Sequence, residues 1–168
     1  ISACLVGSEM CIRDRIDVMW LDCTYMGFLN SRMFTDYALS DLKEIRKKAS
    51  FPLIIFFSGG PCFRFLELLR EVGVVCVEGL EPPPIGDIIL SKAKETVGNR
   101  VCLKGNMEIT RLENGSPSLI EKTVKECIDA AASGGGYILS TVDQPSPNTP
   151  VQNMRAFVRA GRRYGKYS

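Results

Sequence analysis

Apolar residues along this chain fall into two alternating patterns. Short, almost continuous apolar runs occupy residues 16–22, 52–58, 74–78, 100–106 and 137–141, and each reads as a buried strand. Between them, apolar positions recur at the three- and four-residue spacing of a helix. Phe34, Tyr37, Ala38, Leu42 and Ile45 predict a helix over 33–49, and a second over 63–72 closes at Gly73. Asp87 reads as the cap of a third, which carries Ile88, Ile89, Ala93 and Val97 on one side and stops at Gly98. Ser116-Pro117, a cap followed by proline at the first helical position, opens a fourth helix with Leu119, Ile120, Val124, Cys127, Ile128 and Ala131 facing inward. Thr149-Pro150 repeats that signal for the last helix, 150–164, which runs through Arg162 and Arg163 to Gly165.

Apolar strands separated by amphipathic helices imply parallel pairing and right-handed crossovers. Two architectures satisfy this: an open doubly wound sheet, or the last five units of a (βα)8 barrel, whose eight units take about 250 residues. The placement of polar residues bears on the choice. Asp22, Ser58, Glu78, Glu81, Asn106 and Asp143 stand at or just after the C-terminal ends of the successive strands. A barrel gathers its active site from the ends of many strands, whereas an open sheet concentrates it at one switch point. Strand ends also meet solvent, so pattern alone leaves both architectures open.

Composition narrows the chemistry. The 45% hydrophobic and 24% charged content is that of a globular domain, and the formal charge of +2 comes from interspersed signs. No basic stripe points to nucleic acid, and no apolar run approaches the roughly 18 residues of a membrane span. The seven cysteines are odd in number and form no C-x-x-C pair, so they read as free thiols in a reducing, cytoplasmic compartment. There is no histidine, which excludes a His-based triad, general base or metal ligand within these residues. Residues 1–15, ISACLVGSEMCIRDR, open without Met and show neither period nor the plan of a signal peptide. They read as a leader foreign to the fold, like a translated sequencing adapter, which leaves 16–168 as the folded unit.

The candidate chemistry is that of carboxylates. Asp143 and Glu81 are the candidate catalytic residues, and Asp22, Ser58, Glu78, Lys104 and Asn106 the candidate substrate-binding ones. Acids brought together in a water-poor cup raise one another's pKa values, which suits proton transfer near neutral pH; they also suit a hard, oxygen-ligated cation. Lys104 and Asn106, two residues apart in a strand, are expected on one face, with Lys104 as charge partner to the acids. Trp20 and Tyr25 lie near Asp22 as candidate walls of a pocket. Thr149 reads as a helix cap.

Leu103-Lys104-Gly105-Asn106, then the stretch ILST-VDQPSPNTP-VQN within residues 137–153, resemble the uroporphyrinogen decarboxylase superfamily, which includes the decarboxylase of haem synthesis and corrinoid-dependent methyltransferases. The likeness runs from about residue 17 to 167. It implies a TIM barrel of which this chain carries the C-terminal part, with an arginine-rich start and a catalytic aspartate on an N-terminal half outside it. It also implies a lyase of porphyrin biosynthesis, acting on a tetrapyrrole or related carboxylated substrate. Two alternatives stay open: a corrinoid (cobalamin)-dependent methyltransferase with a corrinoid protein as partner, and a barrel that binds a ligand without turnover. A homodimer is open for the full-length protein.

The departures from the family pattern are specific. Decarboxylases carry Gly-His-Gly before the Thr-Pro; here Val142, Asp143 and Gln144 stand there. Zinc methyltransferases carry His-x-Cys-Gly and a later cysteine; here those positions are Phe56, Ser58, Gly59 and Asp143. The expectation is therefore metal-free acid–base chemistry without a cofactor. A chain lacking three units would expose two sheet edges, so on its own it is expected to be inactive and poorly stable.

Overall fold

A computed structural model of the protein describes residues 17–57 and 59–166. Its strands are β1 (Met19–Asp22), β2 (Leu53–Phe56), β3 (Cys76–Glu78), β4 (Cys102–Met107) and β5 (Tyr137–Thr141). They form one parallel sheet in the order β1-β2-β3-β4-β5. Sequence order and spatial order coincide, so among the described residues strand order never reverses. A doubly wound sheet requires that reversal; an arc of a (βα) barrel does not. Among the described residues β1 and β5 each have one neighbour.

The helices lie on one face. Helix α1 runs as three contiguous segments, Ser31–Met33, Phe34–Leu39 and Ser40–Lys48, the middle one wound as a wider π turn. It is followed by α2 (Leu66–Val72), α3 (Leu90–Val97), α4 (Ile109–Asn114), α5 (Pro117–Ala131) and α6 (Val151–Tyr164). Strand side chains alternate between faces, and Leu53, Ile55, Val77 and Leu103 are fully buried against the helices. Phe34 stacks on Phe65 with ring centroids 4.0 Å apart, and Phe57 lies 6.1 Å from Phe65, so three aromatics fill the layer between α1, α2 and β2. The opposite face carries Trp20, Asp22, Ile54, Phe56, Cys76, Glu78, Cys102, Lys104 and Ile138, linked by strand register. It is the more open face: Trp20 and Ile138 are about half exposed.

Most predicted boundaries hold, and the exceptions have local causes. Ser116 caps α5 by accepting the Leu119 N–H at 3.3 Å, with Pro117 at the first position. Asp87 does not cap α3, which begins after Ile89. Its Oδ1 instead accepts the N–H groups of Cys62 (2.8 Å) and Phe63 (2.9 Å), capping the 3-10 turn that leads into α2. Those N–H groups are the orphan donors of a helix entry, and a carboxylate one loop away serves them as well as a local one. Nor does Thr149 cap α6: Pro150 holds the cap position, and the buried Thr149 hydroxyl has no hydrogen-bond partner among the described residues. The short helix α4 has too few turns for an apolar period. Its last carbonyls are met by Asn153, which is 2% exposed and donates to Leu112 O (2.9 Å) and Gly115 O (2.8 Å).

Among the described residues, no helix is long and apolar enough to cross a membrane.

Candidate functional site

The C-terminal ends of the strands position the candidate residues, and one glycine sets the first of them. Gly79 follows β3 at φ 95°, and a Cβ there would stand 1.9 Å from Phe57 O. Only glycine lets the chain leaving β3 pass that close to the end of β2. Strand alternation puts Glu78 on the open face of the sheet, and the chain turns after it at Gly79 before reaching the buried Glu81.

Glu78 is fully engaged. Its Oε1 lies 2.5 Å from Lys104 Nζ and its Oε2 accepts the Trp20 indole N–H at 2.7 Å. Trp20 stacks on Phe56 with centroids 5.0 Å apart. Strand register explains the convergence: Phe56 pairs with Glu78, and Glu78 with Lys104, so all three share a face and a level. Trp20, Phe56, Glu78, Thr141, Asp143 and Gln144 line a cleft of about 210 Å³.

A second group of carboxylates caps the strand ends. Glu81 is 9% exposed, and its carboxyl is held above the usual carboxylate range, chiefly by burial and further by the negative charges of Glu108 and Asp143. These three acids come from the loops after β3, β4 and β5. Glu108 pairs with Arg111 at 2.6 Å, and Asp143 Oδ1 accepts the Gln144 N–H at 2.6 Å. The arrangement sets one buried acid of raised pKa in the field of two further acids, each engaged by a neighbouring donor. A carboxyl raised in this way is a candidate for proton transfer. Glu108 belongs to this group and escapes the sequence pattern because it lies two residues past Asn106; the rule that acids follow strand ends reaches it if applied through the end of β4.

The other candidates lie elsewhere. Asp22 is exposed and turned onto Thr24, accepting its N–H at 2.8 Å and its hydroxyl; these bonds, the hydroxyl first, hold its carboxyl below the usual range. It shares a sheet level with Glu78 without being drawn into either acid group. Asn106 is a correction. Strand alternation predicts it on the Lys104 face, but its Oδ1 accepts from the Cys127 thiol of α5 at 3.5 Å. The backbone leaves regular strand geometry at Gly105, with φ 156°, where a Cβ would meet Gly79 O at 2.8 Å; the Gly105–Asn106 peptide is cis. Asn106 thus borders a separate cleft of about 200 Å³ with Pro82, Glu108, Arg111 and Cys127. Tyr25 is 72% exposed and tilts against Phe28 rather than lining the cleft. Ser58 lies outside the described residues. Among the described residues, no three His, Cys, Asp or Glu side chains stand close enough to hold a metal ion.

Comparisons with known proteins bear on the fold and the family. The uroporphyrinogen decarboxylase of Coxiella burnetii is 26% identical over 156 residues, covering 89% of this chain and 41% of that protein. The methylated-thiol–coenzyme M methyltransferase of Methanosarcina mazei is 24% identical over 135 residues, covering 80% of this chain and 34% of that protein. Among solved structures, a methyltransferase from Methanosarcina mazei superposes with a TM-score of 0.77 at 20% identity, covering 98% of this chain and 47% of its own. That likeness shows the fold, a partial (βα) barrel. The chain spans about two fifths of the length of the curated relatives it matches. The model of the uroporphyrinogen decarboxylase (URO-D) family matches residues 8–164, nearly the whole chain, and the chain belongs to that family.

Proposed function

We propose that this chain is part of a decarboxylase-like enzyme acting on a tetrapyrrole or related carboxylated substrate, with Glu81 as its proton-handling group. The observation that carries the reading is the buried Glu81 carboxyl, held above its usual range chiefly by burial and further by the negative charges of Glu108 and Asp143. When the bond to a substrate carboxylate breaks, CO2 leaves and the electron pair stays on carbon. Glu81 delivers its proton to that carbon and is reprotonated from water. Lys104, shared with Glu78, is placed to receive an incoming carboxylate, and Trp20 and Phe56 give a planar ligand an apolar wall. A cytoplasmic setting goes with this reading, since the described cysteines are free thiols.

The methyltransferase relatives support a second reading, methyl transfer to or from a corrinoid protein. The residues present do not fit the zinc site of that chemistry: at the position of its histidine ligand, Phe56 is packed under Trp20. The test is to assay the full-length protein with uroporphyrinogen and, separately, with methyl donors and cob(I)alamin. Decarboxylation supports the first reading. Methyl transfer alone replaces it with the second. Ligand binding without either turnover, unchanged by Asp143→Asn, makes the protein a binding barrel.

A further inference from the structure

Directly beneath the Glu78–Lys104 pair lie two cysteines that neither reading uses. Cys76 and Cys102 are register partners on β3 and β4 and share the open face of the sheet. Neighbouring strands are about 4.8 Å apart, inside the 4.4–6.8 Å Cα separation that a disulfide accepts. Each thiol shifts the titration of the other. The two are unequal. Cys76 is 3% exposed, whereas Cys102 is partly open to solvent. The neighbouring Cys76 thiol, with help from Lys94 and Lys104, favours the thiolate of Cys102, while Cys102 and burial hold the proton on Cys76. Cys23 and Cys62 are buried, and burial pushes their thiols up, to about 11 and about 12.

We propose that Cys76 and Cys102 form a reversible dithiol–disulfide pair, oxidised by a low-molecular-weight disulfide such as glutathione disulfide. The Cys102 thiolate attacks one sulfur of the small disulfide; its S–S bond breaks, and the departing thiolate takes a proton from water. Cys76 then attacks the Cys102 sulfur of the mixed disulfide, giving up its proton as the second small thiol leaves. Two protein thiols are oxidised and one small disulfide is reduced to two thiols. The product ties β3 to β4 one level below Glu78 and Lys104, so oxidation fixes the spacing on which that ion pair depends.

The test is peptide mass mapping after exposure of the chain to glutathione disulfide and acid quenching, in a background of Cys4→Ser and Cys11→Ser to remove the two thiols outside the described residues. The expected product is a Cys76–Cys102 linked peptide pair, lost on treatment with dithiothreitol. Cys76→Ser should trap glutathione on Cys102, and Cys102→Ser should leave Cys76 unmodified. In the reduced chain, iodoacetamide should label Cys102 on the order of tenfold faster than Cys23 or Cys62. Absence of the 76–102 link, its formation at no higher yield than other cysteine pairs, or equal labelling of the cysteines overturns the proposal. The mapping of the chain with Cys76 and Cys102 intact decides the matter even if Cys76→Ser does not fold.

Discussion

Replacing Lys104 with Met tests whether the Glu78–Lys104–Trp20 cluster is a semi-buried electrostatic unit or a solvated surface pair. The side chain of Glu78 is 12% exposed and that of Lys104 31%, with 2.5 Å between charged atoms. Exposed pairs contribute about 0–1 kcal/mol, and breaking a fully buried pair costs about 3–5 kcal/mol. Glu78 lies nearer the buried limit, so Lys104→Met, which strands its charge with only the Trp20 N–H at 2.7 Å, should destabilise by about 2–3 kcal/mol. Glu78→Gln should cost less, about 1 kcal/mol, because the amide oxygen still accepts from Trp20 and the more exposed Lys104 reaches water. The double change Glu78→Leu with Lys104→Met removes both charges and should lie within about 1 kcal/mol of the parent. Urea unfolding at neutral pH, followed by the fluorescence of Trp20, reads this directly, since Trp20 is the only tryptophan. Equal costs for the two single changes, or less than about 0.5 kcal/mol for Lys104→Met, would refute the argument and return the pair to the surface class.

Three further outcomes follow from other residues. Glu81 has a raised folded pKa, so its contribution to stability is fully present below the ordinary carboxylate value of 4.5 and is lost as pH rises through the folded value; denaturation curves across that window should slope downward for the parent and flatten for Glu81→Gln, and identical slopes would contradict the assignment. Asn153→Ala leaves the carbonyls of Leu112 and Gly115 without their donor and should cost about 2 kcal/mol, with faster amide exchange confined to α4 and the start of α6. Gly79→Ala places a Cβ against Phe57 O at φ 95° and should cost about 3 kcal/mol or more in the same urea assay, whereas Gly134→Ala, with open space around it, should cost only its backbone strain of about 1 kcal/mol.

How far the molecule is legible from its sequence differs between layers. The five strands and the helices α1, α2, α3, α5 and α6 follow from apolar runs and periods, because parallel strands buried against helices leave that trace directly. Helix α4 leaves none, since its two turns are held by Asn153 from a distant helix. Among the site residues, Glu78 and Lys104 share a face because a regular strand alternates, and Asn106 departs because the backbone at Gly105 does not. Capping misleads in a similar way: Asp87 satisfies the correct kind of donor, but on another element. Local sequence carries what local geometry decides. Electrostatic neighbours set by the loops after the strands, such as Glu108 for Glu81, become visible only when the chain is folded.

The proposed role of Glu81 in moving a proton is tested most directly by single-turnover decarboxylation of uroporphyrinogen by the full-length protein. Glu81→Gln should lower the rate by about 10²–10⁴-fold while leaving the ligand-induced change in Trp20 fluorescence intact. A Glu81→Gln protein that releases CO2 at the parent rate would contradict it.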